Sequence, residues 1–384
     1  MPRFAVVVVA RNEAQSLRRL MESLRAFLDA GGVVHLVDTG SSDGTAAVAA
    51  SLGCCVHQAG DRFASVLSEA EAAAIDALAV ETDRPVVQAG QRLFHFAAAR
   101  EFASSLPAED VVLHLDGSDE VLALDLDALE RRLASGNAGA LGCAMVLGDG
   151  QFMPVRFYDR RWYRWEGRTH EALYPRPGQP AATIPPTEWC GGHELRLVHH
   201  RQEKERTYLA GLALDLLDHP EQPRWVHYVG RELYYGRAYR SALVWLLRHA
   251  DRAEAPALER SQSLLLAGEC HEWLGDPVAA DRAYARAADV APVWRGPLLR
   301  RAALASTRGH FALAAACAEQ ALTVPGPSTV AEPDASYSWW PHALLYWSLF
   351  WLGRRDEAAR HWEVYQRLAP ALAQATGHAR WFDA

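Results

Sequence analysis

The sequence predicts an α/β domain with a mostly parallel sheet, followed by an all-α domain of helical repeats. Three observations predict this. The N-terminal half alternates short Val-rich runs with amphipathic segments, as strands buried on both faces and their crossover helices do. From Arg201 onward the pattern turns helical and is punctuated by glycines. Finally, 384 residues exceed one ordinary core, and a hydrophobic content of 50% lets each of two domains bury its own. The expected division is 1–200 and 201–384.

The elements follow in order. FAVVVV is an all-apolar strand that stops at Arg11-Asn12-Glu13. Leu17, Leu20, Met21, Leu24 and Leu28 recur at helical spacing, and Gly31-Gly32 ends that helix. VVHLVD is the second strand, TGSSDGT a turn-rich loop, and CCVHQ the third strand after a helix from Ala46 to Leu52. This order implies right-handed crossovers, with ligands bound beyond the carboxyl ends of the strands. Arg11, Asp38 and Asp116 all lie at such ends. Residues 64–93 are expected to be an insertion, either a lid or an added surface helix. The alternation resumes with HFAAAREFASSL and VVLHLD, and HELRLVHH closes this half.

Beyond it, GECHEWLGDPVAADRAYARAADVAP, LASTRGHFALAAACAEQALTVPG and LFWLGRRDEAARHWEVYQRLAP share one theme of a Gly turn followed by small residues. ELYYGRAYRSALVWLLRHA fits it more loosely. Gly275 to Gly309 spans 34 residues, the tetratricopeptide period, while the other intervals are 39 and 44. Stacked helix pairs of this kind present a concave surface, which serves as a scaffold, a homodimer contact or a binding face.

The net charge of -8 argues against a nucleic-acid partner, which calls for a basic footprint. Six cysteines without a C-x-x-C pair suit a reduced, cytoplasmic chain. No apolar run reaches bilayer length. The clusters Trp162/Trp165 and Trp339/Trp340 suggest a stacking surface, with core packing as the alternative.

VVVVARNEAQSLRRLMESL followed by VHLVDTGSSDGT resembles the start of family 2 glycosyltransferases, which have the GT-A fold. The resemblance implies a nucleotide pocket in which Asp38 binds the base, with Ala10, Arg11 and Glu13 lining it and Arg100 facing the nucleotide. Asp43 matches the family's loop acid, with a turn and helix cap as its bland reading. Glu101 departs from the family's common Asn. Hard oxygen ligands at a strand end suit Mg²⁺ or Mn²⁺, and LHLDGSDEV places Asp116 and Asp119 there, one residue further apart than in the family. A bulge at Gly117-Ser118 would bring Asp119 into the second ligand position; an extended chain would put Ser118 there.

RWEGRTHEALY resembles a segment of one branch of these transferases and makes Glu171 the first candidate general base and Asp119 or Glu120 the second, with His170 orienting the acceptor or contacting phosphate. His199 or His200 is expected on the metal or diphosphate side, their alternation placing them on opposite faces, and Arg201, Lys204 and Arg206 follow. The resemblance therefore implies a metal-dependent, inverting hexosyltransferase using a nucleotide sugar, UDP-linked by family analogy, on a peptide, glycan or natural-product acceptor. The alternative is a catalytically decayed GT-A protein that acts as a binding or scaffold module through its helical repeats. A transferase acting on nucleic-acid bases is opposed by the acidic charge.

Overall fold

The computed structural model describes residues 3–80, 85–135, 138–148, 150–180, 183–200, 208–326 and 333–382. It divides into two compact units, Met1–Ala73 with Val87–Asp215, and Ala74–Val86 with Leu216–Ala384.

The first unit is built on a seven-stranded sheet. Its strands run in the order Thr187–Trp189, Ala140–Gly142, Val155–Asp159, Val111–Asp116, Phe4–Ala10, Val34–Asp38, Cys55–Gln58. Val155–Asp159 runs antiparallel to both neighbours, and the other pairings are parallel. The Val-rich first strand is central, so both its faces must be apolar. Phe4, Val6 and Val8 pack with Leu17, Leu20, Leu24 and Phe27 on one side, and Val7 packs with Val37, Ala99 and Tyr158 on the other. Register sets Ala10 beside Asp38 and Val9 beside Asp116, which gathers these acids at one end of the sheet.

A second, four-stranded sheet follows the order Gly150–Phe152, Ala144–Leu147, Leu195–His199, Asp119–Leu124. Its last pair is antiparallel and sets His199 opposite Asp119. Within residues 64–93, the strand Ala64–Val66 pairs with Arg92–Phe94, and the helix is confined to Glu69–Asp76. The Leu78 and Val80 backbones are tied to Trp245 Nε1 and Ser241 Oγ, which explains why this stretch groups with the second unit.

Among its described residues the second unit contains four helix pairs: Pro223–Tyr235/Tyr239–Ala250, Ala257–Trp273/Pro277–Val290, Gly296–Thr307/Phe311–Thr323 and Trp340–Trp351/Arg355–Leu368. The small residues of the repeats lie where helices touch. A Cβ on Gly230 would sit 2.9 Å from Leu246, and Gly268 lies under the Tyr284 ring. Each pair is closed by the same turn, in which one residue adopts positive φ and the next N–H bonds back five residues. The positive-φ residues are Arg237, Gly275, Gly309 and Gly353, at φ 61, 78, 75 and 77°. The closing bonds run from Ala238, Asp276, His310 and Arg354 to the carbonyls of Leu233, His271, Ala305 and Leu349. The 39-residue interval counts back from Gly275 to Gly236, but in this first turn the left-handed residue is the next one, Arg237.

The tryptophan clusters serve the interior. Trp165 is buried and its Nε1–H donates to Tyr158 Oη at 2.6 Å. Tyr346, Trp362 and Tyr365 form a buried cluster against which Trp339 packs. Among the described residues, no helix is long and apolar enough to cross a membrane.

Candidate functional site

The buried strand Val111–Asp116 delivers Asp116 to the sheet end, and a turn at Gly117-Ser118 leads into Asp119–Leu124. A Cβ on Gly117 would meet Glu13 at 2.8 Å, so this turn needs glycine. The turn folds Asp119 back, and its Oδ2 accepts from the Asp116 N–H at 2.8 Å. Asp119 is fully buried, while Ser118 gives its carbonyl to the His200 N–H at 3.1 Å. Of the two alternatives for the extra residue, the bulge is the one adopted.

His199 Nδ1 lies 2.7 Å from Asp119 Oδ1. Asp116, Asp119 and His199 each offer a ligand atom within 4.8 Å of the others. His200 does not join them, because alternation along the strand turns it to Glu120 at 2.7 Å. Of the two histidines expected on the metal or diphosphate side, His199 is the one beside the acids, and the expectation for His200 is corrected. The hydrogen bond to Asp119 raises the His199 pKa above its ordinary value, outweighing burial.

Arg100 organises the other side of Asp116. It is buried on the helix Phe96–Ser105, with Nη2 at 2.9 Å from Asp116 Oδ1 and Nε at 2.6 Å from Glu171 Oε1. Its Nη1–H donates to His114 Nδ1 at 2.8 Å. Burial, and then Arg100, depress the His114 pKa well below its ordinary value, so this imidazole stays neutral. Arg156 reaches Asp116 Oδ2 at 3.0 Å. Burial opposes the charge on Asp116, but Arg100 and Arg156 outweigh it and hold the carboxyl far below the usual carboxylate range. Sequence reasoning missed Arg156 and His114. The only signal was a cationic or polar residue inside an otherwise apolar strand, VRFYD and VVLHLD.

The expected nucleotide pocket is cross-braced by its own loops. Asp38 Oδ1 accepts from the Ser41 N–H at 2.9 Å, and the Glu13 N–H donates to Thr45 Oγ1 at 2.8 Å. Asp43 accepts from the N–H groups of Ala14 and Thr45, which is the turn reading. Ala10 contributes its carbonyl to Thr39, and Arg11 is a half-exposed side chain 4.0 Å from Asp61. His170 sits at φ 52° with its ring edge-on to Tyr208. Arg201 lies outside the described residues.

In the second unit, Tyr234, Tyr235, Arg237, Tyr239 and Trp273 line an open cavity of about 380 Å³. Tyr239 and Trp273 stack with ring centroids 5.7 Å apart and planes 2° apart, and Trp273 is 68% exposed.

No family model matches the chain, and no curated protein does. Among solved structures it is similar to one titled "Functional Characterization of Pseudomonas Aeruginosa pilF", at 18% identity over 44% of this chain and 72% of that one, TM-score 0.37. A MamA protein matches at 13% identity over 46% of this chain and 85% of that one, TM-score 0.34. A thermophilic TPR protein of Thermus thermophilus matches at 18% identity over 45% of this chain and 87% of that one, TM-score 0.31. The helical part of the chain is TPR-like.

The expectation of a hexosyltransferase enzyme is corrected. The structures it matches are of the TPR type. At the site, Glu171, expected as general base, is held in an ion pair by Arg100.

Proposed function

We propose that the chain is a binding or scaffold protein, in which TPR-like helices capture a protein partner and a transfer-inactive α/β unit of GT-A type carries a divalent-cation site. The observation that carries this reading is where each unit places its chemistry. In the α/β unit, the charged groups are turned on one another around Arg100. In the helical unit, an aromatic surface stands open at Trp273 and Tyr235, both exposed. Buried aromatic anchors dominate interface energetics, and an exposed pair beside a cavity is their unbound form.

Asp116, Asp119 and His199 fit a divalent cation in donor type, two carboxylates and an imidazole, and a ligand of the class Mn²⁺ or Mg²⁺ suits them. When bound, the cation supplies a positive charge for an anionic oxygen at the strand ends. Arg156 Nη1 is buried with no hydrogen-bond partner and is a further donor for the same anion.

The scaffold reading is tested by panning a random peptide library on phage against the full chain and against Trp273→Ala. Enrichment of related peptides, lost in the variant, is expected. Equal enrichment on both proteins, or none on either, would discard the reading.

A further inference from the structure

The four helix-pair turns are built alike, and one breaks the residue rule. Gly275, Gly309 and Gly353 occupy the left-handed position in three of them, where glycine carries no steric cost. In the first, Arg237 occupies it at φ 61°. A non-glycine side chain other than Asn or Asp is disfavoured there. Strain of this kind persists where the surroundings over-determine it, and it concentrates at ligand-binding positions.

The surroundings of Arg237 are the aromatic cavity. Its side chain lines the space together with Tyr234, Tyr235, Tyr239 and Trp273. Arg237 is exposed, and its guanidinium makes no ion pair or hydrogen bond with the described residues. The arginine therefore contributes nothing visible to the fold that would offset its backbone strain. The turn itself needs only the Ala238 N–H to Leu233 carbonyl bond, which the sister turns make with glycine.

The lining also indicates what the cavity takes. It contains four aromatic rings and one cation, and no carboxylate. Glu269, which accepts from the lining Tyr234 Oη, also pairs with Arg300, and Glu272, next to Trp273 in the chain, accepts from Tyr284 Oη. For a saccharide on Trp273 the lining offers only tyrosine hydroxyls as acceptors and no carboxylate or amide side chain. A flat apolar group on the exposed Trp273 face, next to a carboxylate on Arg237, meets both features. The volume, about 380 Å³, is at the small end for ligand pockets and suits a short stretch of side chains rather than a folded surface.

We infer that the cleft formed by Tyr235, Arg237, Tyr239 and Trp273 binds an acidic peptide segment, its proline or aromatic side chain stacking on Trp273 and its carboxylate pairing with Arg237. This inference rests on the scaffold reading and adds the chemistry of the partner.

The test is fluorescence anisotropy with a labelled peptide of Glu and Asp residues around one Tyr and one Pro, its counterpart with Lys at every acidic position, and maltohexaose as competitor. The full chain is compared with Arg237→Gly and Arg237→Asn, both of which suit the left-handed region and remove the charge. The acidic peptide is expected to bind and its Lys counterpart not. Each variant should lose about tenfold in affinity, the factor typical of one charge-assisted bond, without any fall in Tm. Equal binding of both peptides, unchanged affinity in both variants, displacement by maltohexaose, or no binding would each overturn the inference. If the phage library instead enriches basic or neutral peptides through Trp273, the scaffold reading stands and this inference falls.

Discussion

Replacing Arg237 with glycine is expected to stabilise the helical unit. The left-handed conformation costs a side-chain-bearing residue roughly 1–2 kcal/mol, and Arg237 sits there at φ 61°. Glycine removes that cost but loosens the unfolded chain, which returns roughly 0.5–1 kcal/mol. The net gain is about 0.5–1 kcal/mol. For a unit of this size, ~1 kcal/mol moves Tm by roughly 2–4 °C, so a rise of about 1–4 °C is expected in calorimetry of the full chain. The reverse change, Gly275→Arg at φ 78°, puts the same strain into a sister turn and should lower Tm by a similar amount. A fall in Tm for Arg237→Gly would refute the reasoning, since it would show that the arginine supports the fold by more than its strain costs.

Arg100→Met should be far more damaging. It leaves the half-buried Asp116 and Glu171 without their shared guanidinium, Asp116 keeping Arg156, and breaking a buried pair costs up to about 3–5 kcal/mol; urea denaturation measures it, and a loss under about 1 kcal/mol would contradict the network. Mn²⁺ titration by calorimetry should show binding to the intact chain that Asp119→Asn abolishes and His200→Gln leaves in place, since His200 faces Glu120. Equal loss in both variants would sink the ligand assignment. Acid should destabilise the helical unit through His249, which is fully buried and whose pKa burial, with Arg252 and Arg260, lowers to about 4. Above the unfolded value of about 6.5 neither state takes the proton; below it the unfolded chain binds it and the fold does not. Stability is therefore expected to fall between pH ~6.5 and about 4, by roughly 3 kcal/mol in total. His249→Gln should flatten that slope, and an unchanged slope would point to other groups.

Local rules carried the reading furthest where side-chain pattern and backbone demand coincide. FAVVVV is apolar at every position because the central strand of a sheet covered on both faces leaves no side for water. The glycines at 275, 309 and 353 mark turns because only they take positive φ without cost. The same rule slipped by one residue at Gly236, where an arginine bears the strain. The acidic run LHLDGSDEV was visible as a cluster, yet its function was not, because neutralisation of Asp116 depends on Arg100 and Arg156, from a helix and a strand distant in the chain.

The sequence by itself determined the kinds of element, strands and crossover helices first and Gly-punctuated helix pairs later, since periodicity and turn chemistry are properties of neighbouring residues. Only the tertiary structure decided which charges meet. Asp119 faces His199 rather than His200 because one antiparallel register sets them opposite. Glu171 lies on Arg100, 71 residues away, because the sheet end brings them together. Electrostatic pairing depends on distance in space, and a sequence read along its length records only distance along the chain.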